Sequence, residues 1–283
     1  MSRRAARPPL LAIVLAIVAI AFFALPFLGL VWRVPWSSAW SVLSASGVGE
    51  ALWLSAVCSF WATVLSALFG VPLAWVLATT RFPGRSVVRA LCTLSMVLPP
   101  VVGGIALFAA IGRNGVFGQY LDRWFGYTIP FTTTAVVIAQ TFVAMPFLVL
   151  TVEAALRQID HRYEEAARSL GASRWHAFRR VTLPTIRPAL VAGAVLAWAR
   201  ALGEFGATIT FAGNFPGTTQ TMPLAIYVAR ERDQSQAVVL SLVLIAASFL
   251  VIVGLRDRWM TSGHGRPSMV VASGASPAVF APR

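Results

Sequence analysis

Two ionisable residues, Arg200 and Glu204, stand inside the otherwise uncharged run 188–211. Their separation of four positions sets them on one face of a helix, where they can pair. Charge among apolar residues is costly unless it is paired or faces water. The pair is therefore either a structural ion pair or a charged element in gating and anion passage. No other set of side chains suggests covalent chemistry. The three histidines, His161, His176 and His264, lie apart without the spacing of a metal site. The two cysteines, Cys58 and Cys92, sit in apolar runs, where a free thiol behaves as a small hydrophobe. All 23 basic residues are arginine, so a Walker-type phosphate loop, which needs its lysine, is absent. The sequence thus predicts no catalytic residue, no metal site and no cofactor in this chain, and leaves any ATP chemistry to partner subunits.

Elements that could position Arg200 and Glu204 follow from composition. Hydrophobic residues make up 58% of the chain, charged residues only 12%, and mean hydropathy is +0.75. These values predict an all-α polytopic membrane protein. Uncharged runs at 8–32, 51–80, 90–112 and 132–152, the run 188–211 with its charge pair, and 237–255 are each long enough to cross about 30 Å of hydrocarbon, giving about six transmembrane helices. The first is too long for a signal-peptide core of about 7–15 residues. Arginines gather in alternate connections, at Arg3, Arg4 and Arg7, at Arg81, Arg85 and Arg89, from Arg157 to Arg187, and at Arg256, Arg258 and Arg266. The positive-inside rule then predicts both termini to be cytoplasmic. The same spread of arginine over loop ends, despite a net charge of +13, argues against a nucleic-acid partner. The expected layout is a cytoplasmic N-terminal tail at 1–9, a transmembrane domain at 10–258 with a cytoplasmic loop at 153–187, and a disordered cytoplasmic tail at 259–283, rich in Gly, Ser, Pro and Ala.

One polar interval keeps helical order. In 163–184, Tyr163, Ala166, Ala167 and Leu170 share a helix face. Gly171 is placed to end that helix, Ser173 to cap a second one carrying Trp175, Phe178 and Val181, and Pro184 to end it. Two short helices rimmed by arginine suit a groove on another protein, while a solvated, positively charged loop is the other reading. Elsewhere, Pro99 and Pro100 followed by Gly103 and Gly104 predict a bend or a close helix crossing, as a packing kink or as part of a pore. Asn214, Pro216 and Gly217 predict a turn on the outer side, as an ordinary connection or as a contact for an external receptor.

Glu165, Ala166 and Ala167, then Gly171, then Val181, Leu183 and Pro184, resemble the EAA loop of ABC importer permeases. Val181 stands where that family commonly has isoleucine. The stretches 71–78, 97–108, 112–118 and 199–227 resemble the molybdate branch of those permeases, and sulfate permeases share part of the last one. The resemblance runs from about residue 51 to 255. It implies a type I ABC importer permease fold in a multi-pass chain of a bacterial-type inner cell membrane. It also implies two ATPase subunits seated on the loop through Glu165, Ala166, Ala167, Gly171, Trp175, Phe178, Leu183 and Pro184. A second permease copy and an extracytoplasmic molybdate-binding protein would complete the assembly. Under the same reading Pro99, Pro100, Gly103, Arg200 and Glu204 belong to the translocation path or gate, and Asn214, Pro216 and Gly217 meet the receptor. Sulfate, thiosulfate or tungstate is the alternative substrate. A gradient-driven secondary transporter and a membrane-embedded enzyme or scaffold are the alternatives in other classes; no internal repeat supports the first, and no paired catalytic groups support the second.

Overall fold

The structure is a computed structural model that describes residues 9–45, 47–159, 169 and 171–260. Among the described residues every regular element is a helix. In chain order these are α1 (Leu10–Trp32), α2 (Ala39–Leu43), α3 (Val48–Thr79), α4 (Arg85–Val97), α5 (Pro100–Ile111), α6 (Gly118–Phe125) and α7 (Thr133–Arg157). Then come α8 (Arg174–Ala177), a π-turn at Phe178–Thr182, α9 (Leu183–Leu202), α10 (Gly206–Phe211), α11 (Met222–Arg232) and α12 (Gln234–Met260).

The core is α7 packed between α3 and α9. On α3 the buried positions are Ala51, Ser55, Cys58, Ser59, Ala62, Ser66, Gly70, Ala74 and Leu77. They recur three and four apart, so one face is buried, and nearly all are small. In an apolar solvent helices gain little by hiding hydrophobic surface and associate by close approach instead. The contact confirms this: a β-carbon added to Gly70 would stand 3.1 Å from Val149 Cγ2. Gly193 of α9 makes a similarly close approach to α7, 3.3 Å from Leu148 Cα. By contrast α1 buries no residue and is apolar all round, a surface that lipid can solvate and water cannot.

Among the described residues, five helical segments are long and apolar enough to cross a membrane: Leu10–Trp32, Val48–Thr79, Thr133–Arg157, Trp175–Leu202 and Gln234–Gly254. The expected crossing at 90–112 is instead two helices, α4 and α5, parted at Leu98 and Pro99. Each of these residues precedes a proline, whose ring drives its neighbour out of the helical region; ψ is 135° at Leu98 and 130° at Pro99. Pro100 then starts α5, where its missing N–H costs nothing.

Pro184 does not end a helix. The chain runs from α8 through the π-turn into α9, with Pro184 in the first turn of α9. Leu183 N–H reaches back to Phe178 O in the wider π pattern, and a locally widened turn lets the chain pass a residue that has no N–H to give. The run 188–211 also differs from one continuous helix, because α9 stops at Leu202 and α10 begins at Gly206.

Candidate functional site

The two broken runs meet. Gly206, the first residue of α10, lies against the start of α5: a β-carbon added there would stand 2.9 Å from Pro100 Cβ and 3.1 Å from Val101 N. One turn along, a β-carbon on Gly104 would collide with Thr210 Oγ1 at 1.8 Å and with Ala207 O at 2.8 Å. Gly103 points the other way, toward the Phe142 ring of α7. The adjacent glycines therefore let α5 touch two neighbours at once. Thr210 Oγ1 bonds within its own helix, to Gly206 O at 2.8 Å. Of the residues that the sequence singled out for a path, Pro100 and Gly103 belong to this junction, and Pro99 is the exposed hinge residue before it.

Arg200 and Glu204 sit at the same break. They pair, with Nη1 2.6 Å from Oε2, but Glu204 lies beyond the end of α9 rather than one turn along it. The contact is a charge contact rather than an aligned hydrogen bond. The other carboxylate oxygen accepts from Ala207 N at 2.8 Å, so Glu204 also caps the first turn of α10. Glu204 is 1% exposed and Arg200 27% exposed. Burying a carboxylate this deeply is costly unless it is paired and hydrogen-bonded; here the partners are Arg200 in the last turn of one helix and the Ala207 amide in the first turn of the next. Irregular backbone among apolar helices is tolerated where it is packed in protein or lines a watery cavity, and Arg200 is the less buried member of the pair.

At the far end of α5 and α10 an aromatic cluster closes the packing. Phe108 meets Phe211 at 6.4 Å and Phe131 at 6.1 Å, and Phe131 meets Phe215 at 6.0 Å. Phe131 has φ of +64°, costly for a side chain with a β-carbon, and the two ring contacts hold it there. The loop bearing Asn214, Pro216 and Gly217 is bonded internally: Phe215 N donates to Thr219 Oγ1 at 2.9 Å and Gln220 Nε2 to Asn214 Oδ1 at 3.0 Å. It is tied to α7 by Thr133 Oγ1 to Thr218 O and to α3 by Met222 N to Ser55 Oγ. Pro216 and Gly217 form its exposed tip, whereas Asn214 is half-buried.

In the polar interval, Glu165, Ala166 and Ala167 lie outside the described residues. Gly171 has φ of +87°, the left-handed conformation expected after a helix, and Ser173 Oγ accepts from His176 N at 3.2 Å, the expected cap. Trp175, 66% exposed, stacks on Phe178 at 5.7 Å, and Phe178 rests on Trp75 of α3 at 5.2 Å. Trp175 is thereby linked to a core helix through the Phe178 ring. Leu183 is half-buried and Pro184 exposed.

One cluster escaped the sequence reading. Glu153 of α7, 5% exposed, accepts from Arg157 Nη2 at 2.7 Å and from Arg89 of α4. The residue lies just past an apolar run and reads as the start of a loop; only the fold brings Arg89 to it.

Residues 70–262 match the family described as the inner membrane component of binding-protein-dependent transport systems. The chain belongs to that family. Within it, a molybdenum transport system permease protein, ModB, of Mycobacterium tuberculosis is 48% identical over 245 residues, 86% of this chain and 92% of that protein. The ModB permease of Escherichia coli strain K12 is 39% identical, over 75% of this chain and 92% of its own. A sulfate transport system permease protein, CysT, of the same strain is 37% identical, over 83% and 84%. The permease fold is also that of solved transporters. A bacterial ABC transporter involved in import of the acidic polysaccharide alginate superposes with a TM-score of 0.69 at 18% identity, covering 89% of this chain and 95% of that one. The methionine ABC transporter MetNI, in an inward-facing form, gives 0.55 at 20% identity, covering 76% and 94%. The fold is therefore that of a type I ABC importer permease.

Proposed function

We propose that this chain is the membrane-spanning permease subunit of an ATP-driven molybdate importer. The observation that carries the substrate is the 48% identity to a molybdenum transport permease over 92% of that protein's length. Relatives named for sulfate are less similar, at 37%. The physical setting supports an energised system: a dianion entering a negative interior works against about 4.6 kcal/mol per 100 mV, at about 2.3 per charge.

In this reading the membrane domain spans 10–258, both termini face the cytoplasm, and 153–187 is the loop on which two ATPase subunits seat. Glu165, Ala166, Ala167 and Gly171 shape the docking helix, and Trp175, Phe178, Leu183 and Pro184 pass its displacement into α3 and α9. ATP is bound by those partners. A second copy of the chain completes the pore, and an extracytoplasmic binding protein delivers the oxyanion at the loop of Asn214, Pro216 and Gly217. The junction of α5 with α10, with Pro99, Pro100, Gly103, Arg200 and Glu204, is the moving part of the path. Closing of the ATPases shifts the population between inward and outward openings. Tight holding of the anion midway would prevent release, so affinity resides mainly in the binding protein.

The test is ATP hydrolysis by the reconstituted complex when binding protein is added. Stimulation by molybdate-loaded binding protein well above that by the sulfate-loaded form supports the reading. Equal stimulation moves the chain toward the sulfate permeases, and no stimulation by either overturns it.

A further inference from the structure

A recess of about 370 Å³ opens between the start of α4 and the end of α7, lined by Phe82, Gly84, Arg85, Ser86, Arg89 and Arg157. Three of its six lining residues are arginines. Among the described residues the one carboxylate nearby, Glu153, is buried and does not line the recess. It pairs with Arg89 and Arg157 from behind, which fixes their guanidinium planes. Arg85 is fixed separately by a bond from Nη2 to Leu77 O, at the end of α3, and its Nε is sealed from solvent with no acceptor among the described residues. Among the described residues, three guanidiniums against one buried carboxylate leave positive charge in excess, held in place before any ligand arrives. Immobilised arginine forks match the oxygens of a tetrahedral oxyanion, and the ordering cost is already met.

We propose that this recess is a binding site for a phosphate-type tetrahedral oxyanion, held by Arg85, Arg89 and Arg157. The same chemistry comes from two sources, an anionic phospholipid headgroup and a free oxyanion. On α4 the exposed Val87, Leu91 and Leu94 recur at helical spacing, a surface along which an acyl chain can lie with its phosphate at the recess. The assignment rests on side-chain geometry and does not depend on what the protein transports.

The experiment is native mass spectrometry of the full-length chain in detergent, titrated with short-chain phosphatidylglycerol, with phosphatidylcholine as the neutral-headgroup control and inorganic phosphate as competitor. Phosphatidylglycerol is expected to bind at least about tenfold more tightly than phosphatidylcholine, and Arg85→Gln or Arg157→Gln to weaken it by roughly tenfold each. Arg85→Lys, which keeps the charge and loses the fork, should fall between. Arg81→Gln, an exposed arginine outside the recess, should change binding less than about twofold, separating a site from diffuse surface charge. Displacement by phosphate, with the same arginine dependence, supports the site with a free oxyanion as its source. Phosphatidylglycerol binding without displacement supports it with lipid as the source. Binding unchanged in Arg85→Gln and Arg157→Gln at unchanged helix content overturns the proposal. So does parent protein that neither prefers phosphatidylglycerol nor binds phosphate, a result that needs no variant to fold.

Discussion

Gly206 and Pro100 touch so closely that a single added carbon on the glycine would stand 2.9 Å from the proline's Cβ. Residues 106 positions apart are thereby held at van der Waals contact at the starts of two short helices. The proline ring is rigid and the second neighbour, Val101 N, is backbone, so neither can yield by rotating a side chain.

Gly206→Ala is accordingly expected to destabilise the protein by about 1–3 kcal/mol, the ordinary range for overpacking, and to lower transport further than stability alone would. Gly104→Ala should be worse, since it meets both Thr210 Oγ1 and Ala207 backbone. Gly29→Ala in α1, where nothing lies within 4 Å, should fall within about 0.5 kcal/mol of the parent. Thermal unfolding of the three variants in detergent checks the order.

Glu204→Gln keeps an oxygen for Ala207 N and removes the charge beside Arg200. Breaking a buried pair costs about 3–5 kcal/mol; because Arg200 stays 27% exposed, about 2–3 kcal/mol is expected here. Uptake should fall at matched protein level, and unchanged uptake would leave the pair a purely structural role or none.

Glu153→Gln leaves Arg89 and Arg157 side by side without their carboxylate. Both guanidiniums are partly exposed, at 35% and 44% for the two side chains, so solvent screens much of the repulsion and the loss should be about 1–2 kcal/mol. A melting temperature equal to the parent's would show that α4 is held by its apolar contacts alone.

At Gly171 nothing among the described residues lies within 4 Å of an added β-carbon, but φ is +87°. Gly171→Val should therefore act through the backbone, costing about 1–2 kcal/mol locally. With charge reversal at Glu165, it should uncouple ATP hydrolysis from uptake while leaving the amount of protein in the membrane unchanged. Variants that stimulate the ATPase normally would contradict the docking assignment.

Much of this architecture is legible in the chain itself. The runs that became α1, α3, α7 and α12 announce their length and apolarity, and Gly171, Ser173 and the Arg200–Glu204 spacing state local geometry that does not depend on distant residues. The run at 90–112 misleads because an uncharged stretch records solvent preference and not direction; Pro99 and Pro100 signal a bend, yet nothing local says that the chain stops being one helix. Pro184 misleads for a related reason, since a π-turn that accommodates proline has no strong sequence signature. The Gly206–Pro100 contact, the Phe108–Phe131–Phe215 rings and the Arg89–Glu153 pair were out of reach because each joins elements far apart in sequence.

The most direct measurement is uptake into proteoliposomes holding this chain with its candidate ATPase and binding protein, comparing labelled molybdate with labelled sulfate, with and without ATP. Molybdate accumulation that needs ATP, survives collapse of ion gradients and exceeds sulfate accumulation is the predicted result. Uptake indifferent to ATP, or preferential uptake of sulfate, would contradict it.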